Sequence, residues 1–395
     1  MARLFISTGE VSGDLQGALL VEALQRQAQA LGLELQISAL GGDRMAAAGA
    51  MLLGNTSAIG SIGLLEALRY IWPSLKLQQQ AKRYLQHHPP DLVVLIDYMG
   101  ANLPMGAFVR QQLHVPVVYY IAPQEWVWAS SLRTTRQILT LSDRLLAVFP
   151  AEARYFEAEA RKLGVPLQVR WVGHPLVDSL KSVPQRRRAR ELLGIQADQV
   201  AIALLPASRQ QELKYLLPVM FKAAQQIQAQ LPQVHFWIPL SLENYRQPIE
   251  QAIQQYGLRA TLASDPQVVL AASDLAIAKS GTVNLETALL DVPQVVIYRV
   301  SRLTAWVARH ILKFSIPFMS PPNLVEMQPV VPELLQEQAT PEKITQAALE
   351  LLLNPTRRQQ VLDGYQQMRR ALGEPGAVDR AAAEILHLLR EATHP

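Results

Sequence analysis

The run Leu275-Ala276-Ile277-Ala278-Lys279-Ser280-Gly281-Thr282-Val283-Asn284-Leu285-Glu286 carries the most readable chemistry in this chain. An apolar strand runs into Ser-Gly-Thr, a helix follows, and the carboxylate of Glu286 stands five residues beyond Gly281. Such a turn offers backbone N–H groups and the positive end of a helix dipole, a good seat for a diphosphate. Gly281 lets a phosphate approach with no Cβ in the way. Glu286, on the first turns of the helix, is placed to accept hydrogen bonds from ribose hydroxyls. An ordinary βα turn is the competing reading of the same fragment.

Leu204-Leu205-Pro206-Ala207-Ser208-Arg209 repeats the theme. Ser208 can cap a helix, and the planar fork of Arg209 can grip a diphosphate. Arg209 alone would read as a surface arginine; with Ser280–Thr282 it reads as half of an anion site, both turns opening on one sheet edge. In the first half, Ser7-Thr8-Gly9-Glu10-Val11-Ser12-Gly13-Asp14 places two glycines and two carboxylates at the carboxyl end of an opening strand. Ligands of α/β sheets bind at such ends. Neither G-x-G-x-x-G nor a phosphate-binding G-x-x-x-x-G-K-[ST] loop is present, and Asp14 equally suits a helix N-cap.

Other segments leave two readings open. Tyr119–Trp128 sets two tryptophans and Gln124 just after a strand, which suits core packing around a proline turn or a platform for a sugar ring. Thr56–Trp72 carries Leu64, Leu65, Leu68, Ile71 and Trp72 at helical spacing, with Arg69, Lys76 and Arg83 nearby. That is a core face or a helix lying in a lipid interface. His174, in Gly173-His174-Pro175, reads as a hydrogen-bonded hinge residue before it reads as a catalyst. There is no H-E-x-x-H, no histidine pair at ligand spacing beyond His87-His88, and no nucleophile elbow.

The elements that must position these residues follow from the wider pattern. At 395 residues, with 49% hydrophobic and 18% charged content, the chain suits two globular cores. Its formal charge of +4 is too mild to argue for nucleic acid and fits an anionic membrane surface or phosphorylated substrate. The absence of cysteine removes disulfides, thiolate zinc sites and cysteine nucleophiles. Met1-Ala2-Arg3 leads straight into a short apolar strand, so no signal peptide is expected, and no apolar run approaches spanning length. Strands are expected at Leu4–Ser7, Leu35–Ala39, Leu92–Ile96, Val117–Ile121, Leu145–Phe149 and Val169–Val172. A second set is expected at Ala201–Leu205, Val234–Ile238, Leu258–Leu262, Leu275–Ala278 and Val295–Tyr298, with helices between and after Thr340. Helices are read at Leu15–Leu31 and Leu64–Leu85. The basic run Gln185–Arg190 reads as a solvated first helix of the second half, since no aromatic interleaving marks a nucleic-acid patch. The fold class expected is α/β, two doubly wound Rossmann-like domains facing a central cleft.

Taken in order, several motifs resemble those of lipid-A-disaccharide synthases, the GT-B glycosyltransferase family of the lipid A pathway. They are Gly9–Asp14, Gly41–Met45, Ile62–Glu66, Pro90–Asp97, Pro123-Gln124 with Trp126 and Trp128, and Gly173–Pro175. Later come Ser208-Arg209, Ser280–Thr282, Pro322-Asn323 and Val331–Gln336. The resemblance runs nearly end to end. It implies a GT-B fold with an acceptor- and acyl-binding domain over 1–172, a UDP-sugar-binding domain over 173–365, and a C-terminal helix over 366–395 packing back on the first. It implies inverting transfer of diacylglucosamine from UDP to the 6-hydroxyl of diacylglucosamine 1-phosphate, giving the β(1→6) disaccharide 1-phosphate and UDP. No metal or other cofactor is expected, the UDP-sugar being a substrate. Ser208, Arg209, Ser280, Gly281, Thr282 and Glu286 are expected to hold UDP. Gly13, Ile62, Leu65, Gln124 and Asn323 are expected at the acceptor and its acyl chains. The implied setting is cytoplasmic, peripheral on the inner face of the cytoplasmic membrane, with no nucleic acid partner and with room for a homodimer.

The chain also departs from the pattern. Where the family reads Asp-x-Pro-Asp-Phe-Asn, this chain has Asp97-Tyr98-Met99-Gly100-Ala101-Asn102, so Gly100 stands in place of the aspartate favoured as general base. Glycine cannot take a proton, and Asp97, Glu10 or Asp14 is expected to do so. Ala207, Pro321 and Glu326-Met327 also depart. Two alternatives follow: an isomerase of the UDP-N-acetylglucosamine 2-epimerase kind, or a non-catalytic nucleotide- or lipid-binding relative.

Overall fold

Leu92-Val93-Val94-Leu95-Ile96 is apolar at every position, as a strand covered on both faces of a parallel sheet must be. In the computed structural model it is a strand with all of its residues buried. The structure describes residues 1–9, 11–56, 67–128, 132–206, 210–240, 242–301 and 317–393. The chain divides into two compact units, Met1–Asp178 with Leu372–Pro395, and Ser179–Ala371.

The first unit is built on β1 (Ala2–Ser7), β2 (Leu35–Gly41), β3 (Met51–Asn55), β4 (Leu92–Ile96), β5 (Val117–Tyr120), β6 (Arg144–Ala147) and β7 (Gln168–Trp171). These form one parallel sheet in the order β3-β2-β1-β4-β5-β6-β7. The order reverses between β1 and β4, the point at which doubly wound sheets open a crevice at their carboxyl edge. Phe5, Val93, Leu95, Tyr119, Leu145 and Phe156 form the centre of its core. The last helix, Ala377–Thr393, belongs to this unit and packs along Val11–Ala30. Its start is capped by Asp178, which accepts the amides of Gly376 at 2.6 Å and Val378 at 3.0 Å. Farther along, the nearly buried Arg144 reaches Glu384 at 3.0 Å and Glu391 at 3.3 Å.

The second unit holds β8 (Val200–Leu205), β9 (Val234–Pro239), β10 (Ala260–Ala263), β11 (Leu275–Lys279), β12 (Gln294–Tyr298) and β13 (Glu333–Leu335). They are parallel in the order β10-β9-β8-β11-β12-β13, with the reversal between β8 and β11. The basic run forms the helix Arg186–Leu193. Arg186 and Arg190 converge on Asp274 at 2.5 and 3.2 Å, and the same carboxylate takes the amide of Ala201 at 2.8 Å. Two arginines of that run therefore staple the helix to the sheet, while Arg187 and Arg188 pair with Glu191 on the exposed side.

The α/β class and the parallel sheets agree with expectation; the differences lie at edges and ends. β3 and β13 were not among the expected strands. Both are short and lie at sheet edges, where neither a long apolar run nor clean alternation is required. β10 begins two residues later than Leu258, because Gly257 closes the helix Arg246–Tyr256 at φ +60° and Leu258 folds back to donate to Ile253. β6 stops at Ala147, short of Phe149, which instead precedes the helix Pro150–Leu163. The helix expected at Leu64–Leu85 is described over Ala67–His87.

Candidate active site

At the carboxyl edge of the first sheet the two glycines after β1 serve packing. A Cβ at Gly9 would stand 2.1 Å from Tyr98 Cδ1, and one at Gly13 would stand 1.8 Å from Thr8 Oγ1. Each position admits no side chain while its neighbour stays in place. Asp14, in the first turn of Val11–Ala30, does not cap its own helix. Its carboxylate accepts the amides of Gly42 at 2.7 Å, Met45 at 3.2 Å and Arg44 at 3.3 Å, capping the helix Asp43–Ala47. At 4% exposure and with both oxygens engaged, it is an anchor for that turn.

Asp97 follows β4 in the left-handed region, at φ +54°, a conformation that costs an ordinary residue free energy and must be held by its surroundings. Two groups hold it: Asn102 Nδ2 donates to its carbonyl at 3.1 Å and Tyr119 OH at 2.8 Å. Asn102 also donates to Ile96 O at 2.8 Å, so the turn leaving β4 is fixed by a buried side chain. Gly100 lies beside Tyr98, where a Cβ would meet the ring at 3.2–3.3 Å. Glycine at the family aspartate's place thus lies against the tyrosine ring that also covers Gly9.

Four further residues lie along this edge. Gln124 is half-buried before the short helix Glu125–Trp128, and the side chain of Glu125 is turned inward at 2% exposure. One Glu125 oxygen has no hydrogen-bond partner, and burial pushes its carboxyl above the usual carboxylate range. Glu152 is fully buried and accepts the amides of Val148 at 2.8 Å and Phe149 at 3.2 Å on one oxygen. Burial pushes its carboxyl up to about 8, and the charge of Asp97 adds to that. His174 accepts the amide of Leu176 on Nδ1 at 3.1 Å, and burial pushes it down to about 4. It is a neutral residue of the first unit whose ring lies 5.2 Å from that of Phe149, itself 5.7 Å from Trp126.

At the carboxyl edge of the second sheet, the Ser280–Thr282 turn is drawn into internal bonds. Ser280 Oγ donates to Met319 O at 2.7 Å, and the Gly281 amide donates to Asn284 Oδ1 at 2.8 Å. Asn284 is held in turn by Gln294 at 2.9 Å in both directions, within a buried network that includes Tyr365. By helix geometry the amides of Thr282 and Val283 remain as the donors of this turn. Glu286 follows, half-buried, its carboxyl raised by burial. Asn323 is committed on both ends: Nδ2 donates to Val331 O at 3.0 Å and Glu333 at 2.8 Å, and Oδ1 accepts the Val331 amide at 2.8 Å. Glu333 also takes the amides of Ser320 at 2.7 Å and Met319 at 2.9 Å, and the hydroxyl of Ser320. Ser280, Asn323 and Glu333 are thus brought together through 319–320.

Glu10, Ile62, Leu65, Ser208 and Arg209 lie outside the described residues, as does most of Thr56–Trp72. Glu125, Glu152 and Glu333 were not singled out from sequence. A pointer existed for Glu152, which stands at the third helical position after Phe149, the place of the carboxylate in a capping box. Among the described residues, no three His, Asp or Glu side chains cluster as a metal site, and no helix is long and apolar enough to cross a membrane.

A family model described as lipid-A-disaccharide synthetase matches residues 4–385. The lipid-A-disaccharide synthase of Gloeothece citriformis is 58% identical over 386 residues, covering 97% of this chain and 99% of that protein. Among solved structures, a putative UDP-N-acetylglucosamine 2-epimerase from Listeria monocytogenes aligns with TM-score 0.67 at 17% identity, over 98% of this chain and 97% of that one. Sucrose-phosphate synthase from Thermosynechococcus elongatus aligns with TM-score 0.57 at 15% identity, over 99% and 100%. At those identities the likeness speaks for the fold, which is GT-B, and not for epimerisation. Sequence identity across nearly the whole length decides the rest: this chain belongs to the lipid-A-disaccharide synthetase family of glycosyltransferases.

Proposed function

We propose that this chain transfers diacylglucosamine from its UDP carrier to the 6-hydroxyl of diacylglucosamine 1-phosphate, with inversion, releasing UDP and a β(1→6) disaccharide 1-phosphate. Family membership across residues 4–385 is the observation that carries this reading. The acceptor oxygen attacks the anomeric carbon, the bond from that carbon to the diphosphate breaks, and its electron pair leaves with UDP. The hydroxyl proton must pass to a base.

Among the carboxylates described at the first sheet's carboxyl edge, Asp14 is tied to three amides. Glu152 keeps its own proton up to about pH 8, and Glu125 is closed off at 2% exposure. Half-buried Asp97, immediately after a strand flanking the switch point, is the proton acceptor assigned here, with Glu10 the alternative. In the second unit, Glu286 takes the ribose while Ser208-Arg209 and the Ser280–Thr282 turn, through the Thr282 and Val283 amides left to it, hold the diphosphate; Ser280 Oγ and the Gly281 amide are engaged elsewhere. No cofactor enters this scheme. Gln124 stays a candidate for acceptor contact. The acyl chains suit a peripheral position at the inner face of the cytoplasmic membrane. Support comes from Trp72 at 80% and Leu75 at 46% exposure on Ala67–His87, beside Lys76.

Asp97→Asn tests the scheme. Turnover should fall about 10²–10⁴-fold, the usual worth of a general base, with UDP affinity unchanged. Wild-type turnover would remove Asp97 from the mechanism.

A further inference from the structure

The Ser280–Thr282 turn has spent two of the donors that make such a turn attractive to a diphosphate. The Ser280 hydroxyl is given to Met319 O and the Gly281 amide to Asn284, which Gln294 locks in place. An anion arriving there finds those groups already satisfied, so on this side of the site charge beyond that of Arg209 must come from a side chain next to the turn. Lys279, the last residue of β11, is that side chain. Its Nζ lies 3.4 Å, and its Cε 3.7 Å, from where a Gly281 Cβ would be, so the lysine folds back over the turn. The four strand residues before it are buried and apolar, and Lys279 alone is half-buried at the strand's carboxyl end. β11 is also one of the two strands flanking the order reversal of this sheet, the position at which α/β sheets bind ligands. An ammonium is a compact point charge suited to phosphate oxygens.

Resting on the nucleotide-sugar reading above, we propose that Lys279 grips the diphosphate of the UDP-sugar and offsets the charge that develops on UDP as it departs. In that step the bond from the anomeric carbon to the β-phosphate oxygen breaks and its electron pair stays on the oxygen. The lysine transfers no proton.

The test compares Lys279→Met and Lys279→Arg with the wild-type chain by calorimetry with UDP, and by turnover. Lys279→Met should lose at least tenfold in UDP affinity and in turnover, whereas Lys279→Arg, which keeps the charge, should stay within about threefold. Lys279→Gln replaces the methionine variant if that one fails to fold. Wild-type UDP affinity in Lys279→Met overturns the lysine assignment and leaves the nucleotide site standing. Equal losses in the methionine and arginine variants also overturn it, because charge was then not what mattered. A wild-type chain that binds no UDP overturns the nucleotide reading and this proposal with it.

Discussion

Glu152 fixes the turn from the carboxyl end of β6 into the helix Pro150–Leu163, so its protonation governs that turn. One oxygen receives the amides of Val148 and Phe149, while the other, Oε1, has no partner. Burial, with the charge of Asp97, moves its titration from the ordinary 4.5 to about 8. The folded chain thus keeps this proton up to about pH 8, whereas the unfolded chain releases it near 4.5. Between those values the native state binds the extra proton, so stability must fall as pH rises through the window. At about 1.4 kcal/mol per pH unit, the span from 4.5 to about 8 amounts to about 5 kcal/mol. Glu152→Gln keeps an oxygen for the two amides and removes the titration. Urea unfolding of both proteins, followed by circular dichroism at pH 5, 6, 7, 8 and 9, isolates the effect, because other titrating groups cancel in the difference. The glutamine variant should gain on the wild type steadily towards pH 8, by about 4 kcal/mol between pH 5 and 9, and level off above pH 8. A difference that stays flat from pH 5 to 9 would show that Glu152 titrates normally and refute the argument.

Asp14→Asn should weaken the anchor of Asp43–Ala47, costing about 1.5–3 kcal/mol in urea unfolding, with UDP affinity unaltered in calorimetry. A loss of turnover with no loss of stability would return Asp14 to the list of bases. Glu286→Ala and Arg209→Ala should each weaken UDP binding by about 1.5–3 kcal/mol, one at the ribose and one at the diphosphate. Wild-type UDP affinity in both would contradict the proposed pocket.

The doubly wound architecture was legible because a parallel sheet writes itself as apolar runs such as Leu92–Ile96 and Leu275–Ala278, buried on both faces. β3 and β13 were not legible, since a short edge strand needs no such run. Residue type located the turns at Gly9–Asp14 and Ser280–Thr282, but not the use each makes of its polar groups. Asp14 caps a helix 28 residues away, counted to the Gly42 amide, and Gly281 gives its amide to Asn284. The first depends on tertiary placement, and the second on an asparagine three residues on that Gln294 holds in place. The same holds for Glu125, which sits in a four-residue helix where a glutamate would pass for a surface group, yet is 2% exposed. Gly100 was visible as a departure from the family, but the ring of Tyr98 that lies against it was not.

Incubation of the purified chain with UDP-diacylglucosamine, with and without diacylglucosamine 1-phosphate, tests the central claim most directly. Mass spectrometry should find the disaccharide 1-phosphate and UDP in equal amounts, and only when both substrates are present. Release of UDP without a disaccharide, or no reaction from the pair, would contradict the account.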